Sequence, residues 1–431
     1  MRYLAILKDS FREAIDAKVF YVMVGLSAVL IVLAGSISFR PLALEEELTS
    51  AAQSLTWIYS LQGPGNEVHF RVVEFKQLND APEPWRGDYR FVLGLRSADK
   101  DSGGAGRLSP GFVKALVQSQ LPWLENLKVT KAASADPREK RLVFTTGGTS
   151  ISSPRGWAHE PSLFFGTVPL SFLRSSLGYR IYWIEDWLVN GLGAWIAILV
   201  GIVITAFFIP NMLRKGTIDL LLAKPIRRPE LLILKYIGGL SFIFLNAAVV
   251  VVGIWVVLGL RSGIWTPGFL LTVFVLTFFF AILYSVSTLF GVVTRSPIVA
   301  ILMTCLVWFV LWIVGVGFEV IETLHNLPET AQGEGVDSAP TGENPGGPRI
   351  NLPAWVYPTF RAIHYVLPRT KDLDLLTSRL LSRGVLSEAE IHARALDRTT
   401  SITWAESLTA SGVFITLMLG IACWRFAGKD Y

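Results

Sequence analysis

The stretch RKGTIDLLLAKPIRRPELLILK, Arg214 to Lys235, is strongly basic, broken by Pro225 and Pro229, and carries a short apolar stripe. It lies between two of the most apolar runs of the chain, so its reading depends on what those runs are. Thr217 to Ala223 can form a short helix with Ile218, Leu221 and Leu222 on one side. Pro225 ends it, because proline lacks a donor and restricts the residue before it. Pro229 suits the first turn of a second helix that runs into the next apolar run. The segment therefore reads as a short helix flanked by cations, held between two long apolar helices.

Those flanking runs are two of six. A helix needs about 20 mainly apolar residues to cross a bilayer. Val19–Ile37, Leu188–Ile209, Tyr236–Leu260, Gly268–Val293, Ile298–Val320 and Ser407–Phe426 approach or meet that length. Only 17% of the 431 residues are charged and 52% are hydrophobic, against about 25% charged in soluble chains. The first run has a faint cleavage-like end, VLAGS at Val32 to Ser36, but it is long for a signal peptide and follows a mixed-charge amphipathic segment, so it is predicted to stay as a span. That segment, RYLAILKDSFREAIDAK, places Leu4, Leu7, Phe11, Ala14 and Ile15 at helical spacing and is predicted as an interfacial helix over 1–18.

Charge orients the spans. Arg2, Lys8, Arg12 and Lys18 precede the first run; Arg214, Lys215, Lys224, Arg227, Arg228 and Lys235 follow the second; Arg295 follows the fourth and Lys429 the sixth. An even number of crossings puts all four groups on one side, which the positive-inside rule makes the cytoplasm. Both termini are then cytoplasmic, in the inner (cytoplasmic) membrane. The fold class predicted is an α-helical polytopic membrane protein with six transmembrane helices and an inserted α+β extracytoplasmic domain. Its divisions are an interfacial helix 1–18, a span 19–38, the extracytoplasmic domain 39–187, spans two to five over 188–320 with a cytoplasmic loop 210–235, a second extracytoplasmic segment 321–403, a sixth span 404–427 and a tail 428–431. Within the domain, VHFRVVEF (Val68 to Phe75), YRFVLGL (Tyr89 to Leu95) and KRLVFTT (Lys140 to Thr146) alternate as half-buried strands, and Pro110 to Leu127 reads as a helix. The second segment opens with the linker-like EGVDSAPTGENPGGP (Glu334 to Pro348) and has a predicted helix near Ser387 to Leu396.

Chemistry-bearing motifs are few. No GxxxxGK[ST] phosphate loop occurs, so ATP hydrolysis has no visible means in this chain. The five histidines fall outside the spans, with no i, i+4 pair, and Cys305 and Cys423 sit inside apolar runs; neither a metal centre nor a disulfide framework is predicted. No catalytic residue and no cofactor site is expected. Ser285, Ser287 and Thr288 lie at membrane depth without a base, which disfavours an intramembrane hydrolase. The spans also avoid the charges an ion-coupled transporter displays, each of which costs about 2.5–3.5 kcal/mol at a helix centre. Energy for any movement must enter from elsewhere. The modest net charge of +5 predicts no nucleic-acid partner.

GTIDLLLAKPIRRPELLILKYIGG resembles the cytoplasmic loop of type-2 ABC exporter permeases, in which a Gly-Thr, an acidic-plus-Leu run, a Lys-Pro and one or two Arg form the helix that meets the ATPase. LKDSFREAIDAKVFYVMVGLSAVL, STLFGVVTRSPIVAIL (Ser287 to Leu302) and the terminal WRFAGKDY match in order. The large insert after the first span resembles the subgroup described as permease components for gliding or multi-copper enzyme maturation. The resemblance implies a homodimer, or a pair with a similar permease, bound to two separate ABC ATPase subunits that carry the ATP and Mg. It implies ATPase-coupling roles for Gly216, Thr217, Asp219, Leu221, Leu222, Lys224, Pro225, Arg227 and Arg228. One departure stands out: relatives often have an acidic residue before the Gly-Thr, where this chain has Leu213, Arg214 and Lys215, leaving Asp219 to supply the acidic contact. The alternative reading is a membrane-anchored assembly or binding module, whose extracytoplasmic domain binds a protein partner without translocation.

Overall fold

The structure, a computed structural model, describes residues 18–60, 68–80, 87–97, 108–121, 127–134, 139–146, 154–170, 173–213, 227–325, 358–359, 362–363, 367–393 and 403–428. Among the described residues, five helical stretches are long and apolar enough to cross a membrane: Leu177–Met212, Arg228–Ser262, Pro267–Thr294, Pro297–Ile321 and Trp404–Ala427. Beside them runs a shorter apolar helix, α1 (Lys18–Gly35). The protein is thus a mostly helical polytopic membrane protein with a sheet-containing region. The predicted interfacial helix and the linker at Glu334 to Pro348 lie outside the described residues.

The second apolar run begins earlier than its hydropathy suggests. Ser176 caps α4 (Leu177–Asn190), accepting from the Tyr179 amide, and α5 (Leu192–Thr205) and the short α6 (Phe208–Met212) continue it. Arg180, Glu185 and Asp186 therefore belong to the same helical stretch as the span. Glu185 is 1% exposed and accepts from Thr266 Oγ1. Next come α7 (Arg228–Ser262), α8 (Pro267–Leu270), α9 (Thr272–Thr294) and α10 (Pro297–His325), and α13 (Trp404–Ala427) closes the bundle. At 1.5 Å per residue the 35 residues of α7 run about 50 Å, well beyond an apolar core of about 30 Å.

Helix α1 runs parallel to α7. Ser27 Oγ reaches Asn246 Oδ1 at 3.1 Å, and Arg261 Nε donates to the Gly35 carbonyl at 3.0 Å. An interhelical hydrogen bond of the first kind contributes about 0.6 kcal/mol on average. A close contact joins α7 to α9: Tyr236 stacks on Tyr284 at 5.0 Å and donates to the Ala281 carbonyl at 2.8 Å, and a Cβ at Gly239 would sit 2.6 Å from the Tyr284 hydroxyl. Glycine at this position leaves the room the Tyr284 ring occupies. Gly239→Val is expected to destabilise the bundle by about 1–3 kcal/mol through overpacking, read as a lower thermal midpoint in detergent; an unchanged midpoint would show that the helices separate freely here.

Two sheets stand at the far end of the bundle. The first is a neck: β1 (Ser38–Pro41) follows α1 directly and pairs with β6 (Ala158–Leu163), which also pairs with β7 (Val168–Pro169) and with β8 (Ser175–Ser176), the strand leading into α4. Both chain passages into the spans are thereby bonded to one strand. The second sheet is antiparallel, in the order β2 (Val68–Gln77), β3 (Tyr89–Ser97), β5 (Glu139–Thr146), β4 (Leu127–Ala132). One face is covered by α2 (Leu44–Ser60) and α3 (Pro110–Gln120) around Leu48, Leu55, Phe91, Val113 and Phe144. Thr56 Oγ1 accepts from the Phe70 amide at 2.9 Å, fixing α2 on β2. The predicted helix over Pro110 to Leu127 is a correction: α3 stops at Gln120, and Leu127 opens β4, where Val129 and Lys131 alternate with Lys128 and Thr130. Val129 pairs with Phe144 in the sheet, a long-range partner that local helical spacing does not register.

The chain after α10 returns to strap these parts together. Helix α11 (Thr370–Val385) is preceded by buried Arg369, whose guanidinium meets Glu406 of α13 at 3.1 Å. On its other side Ser378 Oγ donates to Asp186 Oδ1 at 2.5 Å, and Asn190 Nδ2 donates to Ser378 Oγ at 2.9 Å and to the Asp374 carbonyl at 3.2 Å. Burial pushes the Asp374 carboxyl up to about 7; Lys371 opposes this, while Asp186, Asp372 and Glu319 add to it. The short α12 (Glu388–Ala393) then places Glu390 against the Ser176 hydroxyl at the head of α4.

Candidate coupling rim

The ends of five helices meet at the end of the bundle away from the sheets. Helix α6 finishes at Met212, α7 starts at Arg228, α9 finishes at Thr294, α10 starts at Pro297 and α13 finishes at Ala427. Four of these ends form one apolar cluster: Ile209, Met212 and Leu213 from the α6 side, Leu231 and Leu232 from α7, Val292 from α9, Ala422 and Phe426 from α13. Ala422, Phe426, Leu232 and Val292 are wholly buried. The two attachment points of residues 214–226 are thus packed against the same pair of helix ends.

Local chemistry explains the corners. Arg227 is extended, at φ −67° and ψ 140°, as the residue two before Pro229 and the N-cap of α7; its carbonyl accepts from the Leu231 amide at 3.1 Å. No side chain caps this end, but Glu230 lies in the first turn, where a negative charge complements the helix dipole. The α9 to α10 corner turns at Arg295, a non-glycine residue with φ 56°, whose amide bonds the Gly291 carbonyl at 3.0 Å. Pro297 then starts α10.

The rim is cationic. Arg227, Arg295 and Arg425 are exposed and Arg228 half-exposed, with Glu230 as their acidic neighbour among the described residues at the start of α7. The sheet-bearing end carries both signs, including Asp186, Arg261, Glu319, Arg369, Lys371, Asp372, Asp374 and Glu406. Of the coupling residues named from the sequence, Arg227 and Arg228 stand on the rim. Gly216, Thr217, Asp219, Leu221, Leu222, Lys224 and Pro225 lie outside the described residues. Sequence reasoning missed the apolar cluster beneath the rim, since Phe426 or Leu232 looks like any other apolar residue of a span. The segment's proximity to the C-terminal helix left no local signal.

A narrow crevice inside the bundle is the second feature. Met23, Ser27, Leu30, Ala194, Ile198, Asn246, Val250 and Phe280 line a space of ≈ 80 Å³ between α1, α5, α7 and α9, apolar apart from the Ser27 and Asn246 pair. No group of three or more potential metal ligands occurs among the described residues. Acidic, nucleophilic and basic groups do not converge in the crevice, which is well below the ligand-pocket range of about 300–1,000 Å³.

Neither curated proteins nor solved structures give a match to the chain. A family model described as "ABC-2 family transporter protein" matches residues 4–431. Apolar helices in a bundle, a cationic rim fed by a loop of known resemblance, and a match over nearly the whole length agree, and the chain belongs to the ABC-2 transporter family.

Proposed function

We propose that this chain is the membrane-spanning permease subunit of an ATP-driven ABC exporter, with α1 as a sixth span and both termini in the cytoplasm. The observation that carries it is the rim. A segment with the sequence of an ATPase-contacting loop is anchored at both ends on the terminal turns of α9 and α13, so force applied to it reaches four helices at once. The cationic character of that end supports a cytoplasmic orientation in the inner membrane. Separate ATPase subunits bind ATP and Mg and press on residues 216–228; a second permease, identical or similar, completes the pathway. Tilting α7 moves α9 through the Tyr236 and Ala281 bond, and the crevice at Ser27 and Asn246 lies between those same helices.

A second reading has its own observation. The strap of α11 and α12 ties α13 to α4 and to the neck strand β8, through Arg369 with Glu406 and Glu390 with Ser176. A bundle that moves would carry the sheets with it, as a mechanical transmitter acting on an extracytoplasmic partner. The neck offers a clean test, because the Leu42 amide bonds the Ala158 carbonyl at 3.1 Å and the ends are already side by side. A variant lacking 44–156, joined by a short glycine linker, keeps β1, β6 and β8. Under the exporter reading it retains efflux of a hydrophobic compound and ATPase stimulation. Complete loss of efflux in a stably folded variant, with ATPase binding intact, transfers the function to the domain.

A further inference from the structure

The four-stranded sheet has a second face, opposite α2 and α3, that no described element covers. The register assigns its residues row by row. Lys76, Arg90, Thr145 and Lys128 lie side by side across the four strands; Glu74, Val92, Val143 and Thr130 form the next row; Arg71, Gly94, Arg141 and Ala132 the third; His69, Arg96 and Glu139 the last. Six cations face two anions within the strands, and Asp88, opposite Leu78 just beyond the Lys76 and Arg90 row, adds a third. One anion is already neutralised. Glu139 is 6% exposed and lies across Gly94, where a Cβ would meet its Oε1 at 2.5 Å, and it is gripped by Arg71 and by Arg141, each at 2.9 Å. Burial works to raise its carboxyl, but the hydrogen bonds and charges of Arg141 and Arg71 prevail and hold it below the ordinary carboxylate range.

That leaves Lys76 directly opposite Arg90, with Lys128 two strands along, all exposed. Like charges facing across a strand pair are destabilising, so the row stores repulsion that a bound anion relieves. The face has almost no apolar anchor. Val92 and Val143 are 6% and 8% exposed beneath the longer side chains, and Val73 at the bulge and Leu78 at the strand end are the large apolar side chains it leaves in solvent among the described residues. Stable protein interfaces centre on buried aromatic or aliphatic residues, and membrane-surface docking adds apolar area to charge. A rigid grid of cations spaced about 4.8 Å across strands suits instead a ligand that presents anions repeatedly along its length, with Arg forks for the carboxylates.

We propose that this open face binds a linear polycarboxylate of the polyuronate class, an acidic polysaccharide laid across the strands. The experiment uses the full chain in nanodiscs of zwitterionic lipid, with polygalacturonate as probe at low and high salt. Binding is expected, weakening steeply as salt screens the exposed charges. Reversing Lys76, Arg90 and Lys128 to Glu is expected to weaken it at least about tenfold, the scale of removing exposed complementary charge. Neutral Lys76→Gln with Lys128→Gln weakens it less and guards against misfolding. Reversing Lys114 and Lys131, on the helix-covered side, leaves it unchanged. The proposal is overturned if the triple reversal, still melting cooperatively, binds as the wild type does. It is equally overturned if the wild type takes polyglutamate or phosphatidylglycerol vesicles but not the polyuronate. ATPase coupling is not part of the readout, so this test is independent of the permease reading.

Discussion

Arg227→Glu combined with Arg228→Glu is expected to abolish ATPase binding to the permease while leaving the permease folded. Arg227 is exposed and Arg228 half-exposed at the start of α7, so neither is part of the apolar cluster beneath them. Surface substitutions outside special features usually change stability by within about 0.5 kcal/mol. The double reversal also places two added negative charges beside Glu230 in the first helical turn, which the dipole tolerates. If these arginines meet the ATPase as proposed, the same change turns attraction into repulsion, worth several kcal/mol for juxtaposed like charges, or about a hundredfold or more in affinity. The measurement is co-purification of the ATPase subunit together with substrate-stimulated hydrolysis. Full binding and full stimulation would remove both arginines from the contact.

Phe426→Ala is expected to loosen the rim itself. The side chain is wholly buried against the α6, α7 and α9 ends, and truncating a buried Phe costs about 3–5 kcal/mol from lost contacts and the cavity left behind. Trp424, two residues earlier and 76% exposed, supplies the control: its change to Ala should alter the thermal midpoint little. The informative result is the pairing of two readouts. Phe426→Ala should lower the midpoint and, at a temperature where the variant is still folded, also uncouple hydrolysis from transport, because residues 214–226 lose a common anchor. Destabilisation with coupling intact would make the cluster a structural support only.

These outcomes bear on how much could be read from residues alone. The spans announced themselves because twenty apolar residues have few soluble uses, and the helices Arg228–Ser262 and Trp404–Ala427 enclose the runs Tyr236–Leu260 and Ser407–Phe426. Strands at Val68, Tyr89 and Lys140 were visible because one face of each packs on the helices and the other carries the Arg, Lys and Glu side chains, which writes period two into the sequence. Strand β4 was hidden: LKVTKA is short and Lys-rich, and it became a strand by pairing with β5. The earlier start of α4 was hidden as well. Glu185 and Asp186 look like residues of a watery loop, yet Thr266 and Ser378, far along the chain, each bond one of their oxygens, and Asn190 adds a bond to Asp186 from one helical turn on. The α11 strap follows the same rule, since Arg369 is predictable as a cation but not as one buried between Asp372 and Glu406.

The sequence by itself determined that this chain lives in a membrane, which end of it is cationic, and that an ATPase-contacting loop resembles Arg214 to Lys235. Those properties are sums over neighbours along the chain: apolar length, charge count and the order of Gly, Leu, Pro and Arg. Only the tertiary structure decided that Phe426 packs among the helix ends on either side of residues 214–226, that Gly239 lets Tyr284 in, and that Lys76, Arg90 and Lys128 share a row on an open sheet. Such contacts join residues from about fourteen to two hundred positions apart, and apolar side chains or lysines carry no mark of the partner that packing will assign them.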